Sequence, residues 1–133
     1  MSISDMRAGI AANIATISGI RTYAEIPDNP AMPAAVVSLA SVSYDRAFQR
    51  GLTEYSFVVT VILGRLAEVR AQKNLDAYIS NGESSIKTAI ESDKTLNGSA
   101  YDTRVTEMTD ISSITIGDIT YLTADFAVTV FSD

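Results

Sequence analysis

Three short patterns in this sequence have residue types that could do chemistry. Ser84 and Lys87 stand in an S-x-x-K arrangement. A lysine one helical turn from a serine can lower the effective pKa of the hydroxyl and prepare it for acyl transfer. The S-D-N and K-T-G segments that accompany this pattern in serine acyl-enzymes are absent, so an exposed helix start is the expected role. Glu107 and Asp110 could form a carboxylate pair, but they lie three apart in an expected strand. A period of two sends such residues to opposite faces, a poor arrangement for acid–base work or for a metal. Asn97-Gly98-Ser99 matches the glycosylation acceptor pattern and, with no secretory segment expected, reads as a turn. The seven glycines are isolated and none forms G-x-G, so no phosphate-cradling loop is expected.

The remaining candidate is an interaction surface in the stretch 43–63, SYDRAFQRGLTEYSFVVTVIL. Its first half is too polar for a core, yet it carries aromatics that a plain loop does not need. Tyr44, Arg46, Phe48 and Arg50 are the residue types enriched at interfaces and their hot spots. They are read as a projecting arm or hairpin tip that touches a neighbouring subunit or another partner, with Gly51 suited to a bulge or turn.

These residues need a scaffold, and hydropathy periods outline one. Ile3, Met6, Ile10, Ile14 and Ile17 form a helical stripe, with Ser2 or Ser4 as cap and Gly19 as terminator. A short strand is expected at 21–25. The segment IPDNPAMP follows, and its three prolines make it an extended connection. Strand 34–40 continues through Val42 and Tyr44 after a bend. Strand 53–63 puts Tyr55, Phe57, Val59, Val61 and Leu63 on one face, and Gly64 is expected to stop it. A second helix is expected over 65–80 with Leu66, Val69, Leu75 and Ile79 inward. Its Arg65, Arg70 and Lys73 are offset by Glu68 and Asp76. A third helix is expected over 83–91 with Ile86, Ala89 and Ile90 inward, capped by Ser80 with Glu83 or by Asn81. After the turn-rich LNGSAYD, strands 103–116 and 119–131 are joined by Gly117-Asp118, a Gly-first pair that favours a type II′ turn. Leu122, Ala124, Phe126, Val128 and Val130 should face the helices. This order implies one α+β domain over 1–133, with a mainly antiparallel sheet, helices on one face, and a projecting arm.

Composition narrows the function. Sixteen acidic residues against ten basic ones leave a net charge of −6, which argues against general phosphate or nucleic-acid binding. The absence of Cys excludes disulfides and thiolate metal sites, and the absence of His removes the usual general base. No apolar run reaches membrane-spanning length. MSISDMRAGI lacks the basic and apolar regions of a secretory signal. The expectation is a non-enzymatic chain without cofactor or metal.

PAAVVSL, YDRAFQRGLTEYSFVVTVILGR, RAQKNLDAYIS, SSIKTAIE and YLTADFAVTV together resemble the tail terminator, or tail completion, proteins of long-tailed bacteriophages. The shared pattern is a proline-rich lead into a strand, a Tyr-centred polar arm, a long strand ending near Gly-Arg, and an Ala-Gln-x-x-Leu-x-x-Tyr helix. The resemblance runs from about Ile20 onward. It implies a homo-oligomer, a hexameric ring, that caps the tail tube protein, stops polymerisation and presents the joint to the head–tail connector protein. It implies a place in the virion at the head end of the tail, and in the host cytoplasm during assembly. DNA would pass through the lumen without sequence-specific binding. Another head–tail connector, a head completion or adaptor protein, is the main rival; a small ligand-binding domain or enzyme is a further one.

Overall fold

The structure, a computed structural model, describes residues 3–17, 20–23, 33–44, 53–65, 69–80, 85–96, 98 and 100–132. Helix α1 spans Ile3–Ile14, and strand β1 spans Arg21–Tyr23. Strands β2 (Ala34–Ser43) and β3 (Thr53–Arg65) follow, then helices α2 (Val69–Ile79) and α3 (Ile86–Ile90), with a 3₁₀ turn over Glu91–Asp93. Strands β4 (Asp102–Ile116) and β5 (Ile119–Ser132) complete the chain. The five strands form one sheet in the order β1-β2-β3-β5-β4. β1 pairs with β2 in parallel, and the other three pairings are antiparallel. This is the expected α+β class.

The β2–β3 ladder runs from Ala34 opposite Ile62 to Ser43 opposite Glu54. Its register shifts between Leu39 and Ser41, which supplies the bend expected before Val42. Gly64 does not stop β3. It sits opposite Leu122 beyond a register shift at Leu63, and Arg65 still pairs with Tyr121. Gly64 has φ +154°, a backbone region that suits glycine, so the irregularity is absorbed inside the strand. At the β4–β5 turn Gly117 has φ +62°, while Leu96 is the one non-glycine with positive φ among the described residues. A positive φ at the first turn position alone is the mark of type II′.

Alternation on β3 sorts its side chains as the sequence suggests. Tyr55, Phe57, Val59, Val61 and Leu63 are buried beneath the helices. Met6, Ile10 and Ile14 of α1 and Ile86, Ala89 and Ile90 of α3 close that core from above, and Leu122, Ala124, Phe126, Val128 and Val130 of β5 extend its floor. In α2 the inward residues are Leu75 and Tyr78, and Ile79, expected inside, is 43% exposed. Leu66 and the Val69 side chain lie outside the described residues. Tyr78 fills the inward position one residue earlier, and burial pushes its phenol pKa up.

The start of α3 also differs from expectation. Its cap is Ser85, whose hydroxyl accepts from the Thr88 N–H at 3.2 Å. Ser80 instead donates to the Asp76 carbonyl within its own helix, so it is not free to cap the next one. Asn81 and Glu83 lie outside the described residues.

Two core features carry no hydropathy signal. Asn13, on the buried side of α1, donates through Nδ2 to the Ile90 carbonyl at 2.9 Å and to the Asp93 carbonyl at 3.0 Å. One amide thus bonds two carbonyls, one at the end of α3 and one at the end of the 3₁₀ turn that follows it. Leu96, in the stretch expected to be turn-rich, does lie in a turn, yet it is 1% exposed and has φ +49°. It presses on α1 at Gly9, where an added Cβ would lie 2.7 Å from the Leu96 Cβ.

Candidate assembly surface

The arm residues are carried by the β2–β3 hairpin. Tyr44 follows the last residue of β2 and is 74% exposed. Arg46, Phe48 and Arg50 lie outside the described residues. The row Ser43–Glu54–Phe131–Asp102 crosses the sheet at this end. Just beyond its far side stands Tyr101, 56% exposed, whose N–H donates to the Phe131 carbonyl at 2.8 Å. Three strand spacings separate the two tyrosines' strands, roughly 14 Å. Two exposed aromatics, Tyr44 and Tyr101, thus flank this end of the sheet. Tyr101 was hidden from sequence reasoning by the turn residues around it; an aromatic among Gly, Ser and Asp is the only signal.

The outer edge of the sheet is β4, and its two halves are built differently. In the first half, the backbone of Val105 is taken up by side chains. Its N–H donates to Glu91 Oε2 at 2.9 Å, and its carbonyl accepts from Lys87 Nζ at 3.3 Å. Lys87 and Glu91 are themselves paired at 2.5 Å. Acting together they satisfy an edge residue as a neighbouring strand would. Burial pushes the Glu91 carboxyl up, but the Lys87 hydrogen bond, the Val105 N–H and the charges of Lys87 and Lys94 outweigh it and hold the pKa below the usual glutamate value. Thr103 Oγ1 ties the same region to the Lys94 carbonyl at 2.9 Å. Lys87 of the S-x-x-K pattern is therefore engaged in structure, and Ser84 lies outside the described residues.

The first half is also broken by register shifts between Val105 and Glu107 and between Met108 and Asp110. Bulges twist an edge away from pairing, and charges discourage it. They also correct the reading of the two carboxylates. Glu107 lies opposite Ala127 and Asp110 opposite Asp125, so both fall on the same face, away from the helices. The extra residue between them cancels the alternation.

The second half, Ile111 to Ile116, has the sequence ISSITI, with no charge, Pro or Gly. Its register with β5 is unbroken, from Ile111 opposite Ala124 to Ile116 opposite Ile119. Ile111 is 46% exposed. On the helix-free face, Ile114, Ile116 and Ile119 gather with Tyr23 around buried Ala34, Ile62 and Tyr121. Among the described residues this half presents a row of outward backbone groups with β-forming side chains, the condition under which an edge accepts another strand.

Among the described residues no group of three Asp, Glu, His or Cys comes together as metal ligands, and no helix is long and apolar enough to cross a membrane. No family model matches this chain, and no curated protein matches it.

Proposed function

We propose that this chain is a structural subunit that assembles into a ring, caps the tail tube of a long-tailed phage, stops its polymerisation and provides the joint to the head. The resemblance in sequence supplies the biological setting. The observation that carries the assembly reading is the outer edge of β4, closed by Lys87 and Glu91 in one half and left as an uncharged pairing row in the other. An edge kept open in this way suits a head-to-tail contact, in which β4 of one copy meets a different surface of the next and the rotation closes a ring. Tyr44, Arg46, Phe48 and Arg50 would then contact the neighbouring subunit or the tube, with Tyr101 at the same end.

The test is the mass of the purified protein by light scattering across concentrations, followed by cosedimentation with assembled tail tubes. A particle of about six chains of 14.2 kDa that binds tubes agrees with the reading. Phe48→Ala with Arg50→Ala should leave the subunit folded and abolish ring formation or docking. Unchanged assembly in that double variant would remove the arm from the interface. Binding to the portal side in place of the tube would reassign the protein as a head–tail adaptor.

A further inference from the structure

The two outer strands of the sheet, β1 and β4, stand level with each other where β4 is open. Followed across the sheet, the register sets Arg21 level with Ser112, Thr22 with Ile111 and Tyr23 with Asp110. One parallel and three antiparallel pairings separate the two strands, so they run in opposite directions. Among the described residues no strand pairs with the outer side of either. A copy displaced sideways would therefore set its β1 against β4 as an antiparallel neighbour, with no need to slide along the edge.

The charges on the two edges are complementary. Asp110 and Asp125 lie directly opposite each other on the helix-free face, and Glu107 shares that face. Like charges placed so destabilise a sheet. Among the described residues no cation pairs with either aspartate. Arg21, at the other edge, is exposed and has no ion pair among the described residues. Tyr23 packs on the helix-free cluster, so Arg21, two residues earlier in the strand, faces the same side as the aspartates.

We infer that β1 of a second copy pairs with β4 at Asp110–Ser112, and that its Arg21 pairs with Asp110, offsetting the charge that Asp110 and Asp125 bring together. In the level register Arg21 stands opposite Ser112 and diagonal to Asp110, a separation that a long side chain spans. The planar guanidinium fork suits a carboxylate there. The contact is head-to-tail, because each copy offers the acids at β4 and the arginine at β1. The pairing rests on the role proposed above for the β4 edge, and it names the surface of the next copy that meets that edge.

The experiment is light scattering of the whole chain over a concentration series. Arg21→Asp and Asp110→Arg are compared singly and together, with Ile111→Lys as the reference for the edge. Each single charge reversal should weaken self-association about tenfold or more. The double variant restores opposite signs and keeps the net charge at −6, so it should recover most of the loss. Single variants that associate like the native chain, or a double variant no better than the singles, overturn the inference. If Ile111→Lys still dissociates the assembly in that case, the β4 edge stands as a contact and its partner is another surface. A native chain that stays monomeric throughout overturns the inference together with the role of the edge. Cross-linking gives a second measurement, since the chain has no Cys. Thr22→Cys mixed with Ile111→Cys should form a mixed disulfide on oxidation, because the level register brings the two Cα atoms within bridging distance. Thr22→Cys mixed with Thr115→Cys, four residues further along β4, should not. Absence of the first cross-link, or equal yields of both, also overturns the inference.

Discussion

Phe57 and Ile111 occupy the same face of the same sheet, yet Phe57 is 1% exposed and Ile111 is 46% exposed. Phe57 lies in β3 opposite Val128, under the helices. Ile111 lies in β4 opposite Ala124, just past the second bulge. The helix layer reaches β4 through α3 and the 3₁₀ turn, where Lys87 and Glu91 close over Val105. What separates the two positions is cover, since both are apolar and strand-forming. Stability is concentrated under the helices, and the capacity to pair is left at the outer edge.

The largest effect should come from breaking the covered region. Phe57→Ala removes a side chain packed in the central strand and should cost about 3–5 kcal/mol, read as a lower urea midpoint with an unchanged slope. A loss below about 1 kcal/mol would mean that the helix layer collapses readily onto the gap, and the contrast with the edge would weaken. Gly9→Ala comes next, at about 1–3 kcal/mol, because its Cβ would stand 2.7 Å from the Leu96 Cβ. The double variant Gly9→Ala with Leu96→Gly should lose less than the sum of the two singles, because glycine at 96 takes away the Cβ that the new methyl group meets. Strict additivity would place the damage somewhere other than this contact.

Much of the covered region was legible in sequence because burial imposes a period. The stripe Met6, Ile10, Ile14 and the alternation from Tyr55 to Leu63 both survive in the fold. The Gly117 turn was legible for a related reason, since only certain residues adopt its φ without strain. The departures occur where a contact overrides the local pattern. Leu96 sits among turn residues but is drawn into the core against α1. Tyr78 replaces Ile79 as the inward residue of α2. Asn13 lies outside the apolar stripe of α1 and bonds the carbonyls of Ile90 and Asp93, a contact that no local pattern encodes. Of the candidate assembly surface, Tyr44 was legible in the sequence, and it is exposed. Tyr101 and the divided edge of β4 were not. The bulges that place Glu107 and Asp110 on one face depend on pairing with β5, which no local spacing encodes.

Glu91 marks the border between the two regions and should show a smaller, pH-dependent effect. Its pKa is depressed in the folded chain, so its charge stabilises the fold above the ordinary glutamate pKa. That contribution is lost as pH falls through the folded value. Glu91→Gln keeps an oxygen for the Val105 N–H but loses the charge that holds Lys87. The variant should be about 0.5–1 kcal/mol less stable than the native chain at neutral pH, with the difference closing in acid. Urea unfolding at a series of pH values measures this, and a difference that persists at low pH would assign the loss to packing.

Ile111→Lys should have the smallest effect on folding and a decisive one on association. The side chain is 46% exposed, so the subunit should keep its stability to within about 0.5 kcal/mol. A lysine at that position puts a charge into the uncharged row and should prevent a strand from pairing there. Thr106→Lys supplies the control, because it adds the same charge to the half of β4 already guarded by bulges and by Lys87 and Glu91. Light scattering at matched concentrations should show the lower mass for Ile111→Lys alone. Equal loss in both variants would make the effect one of net charge, since the chain would then respond to a lysine anywhere on β4. Equal retention would move the proposed subunit contact off this edge and leave the end of the sheet with Tyr44 and Tyr101 as the candidate surface for it.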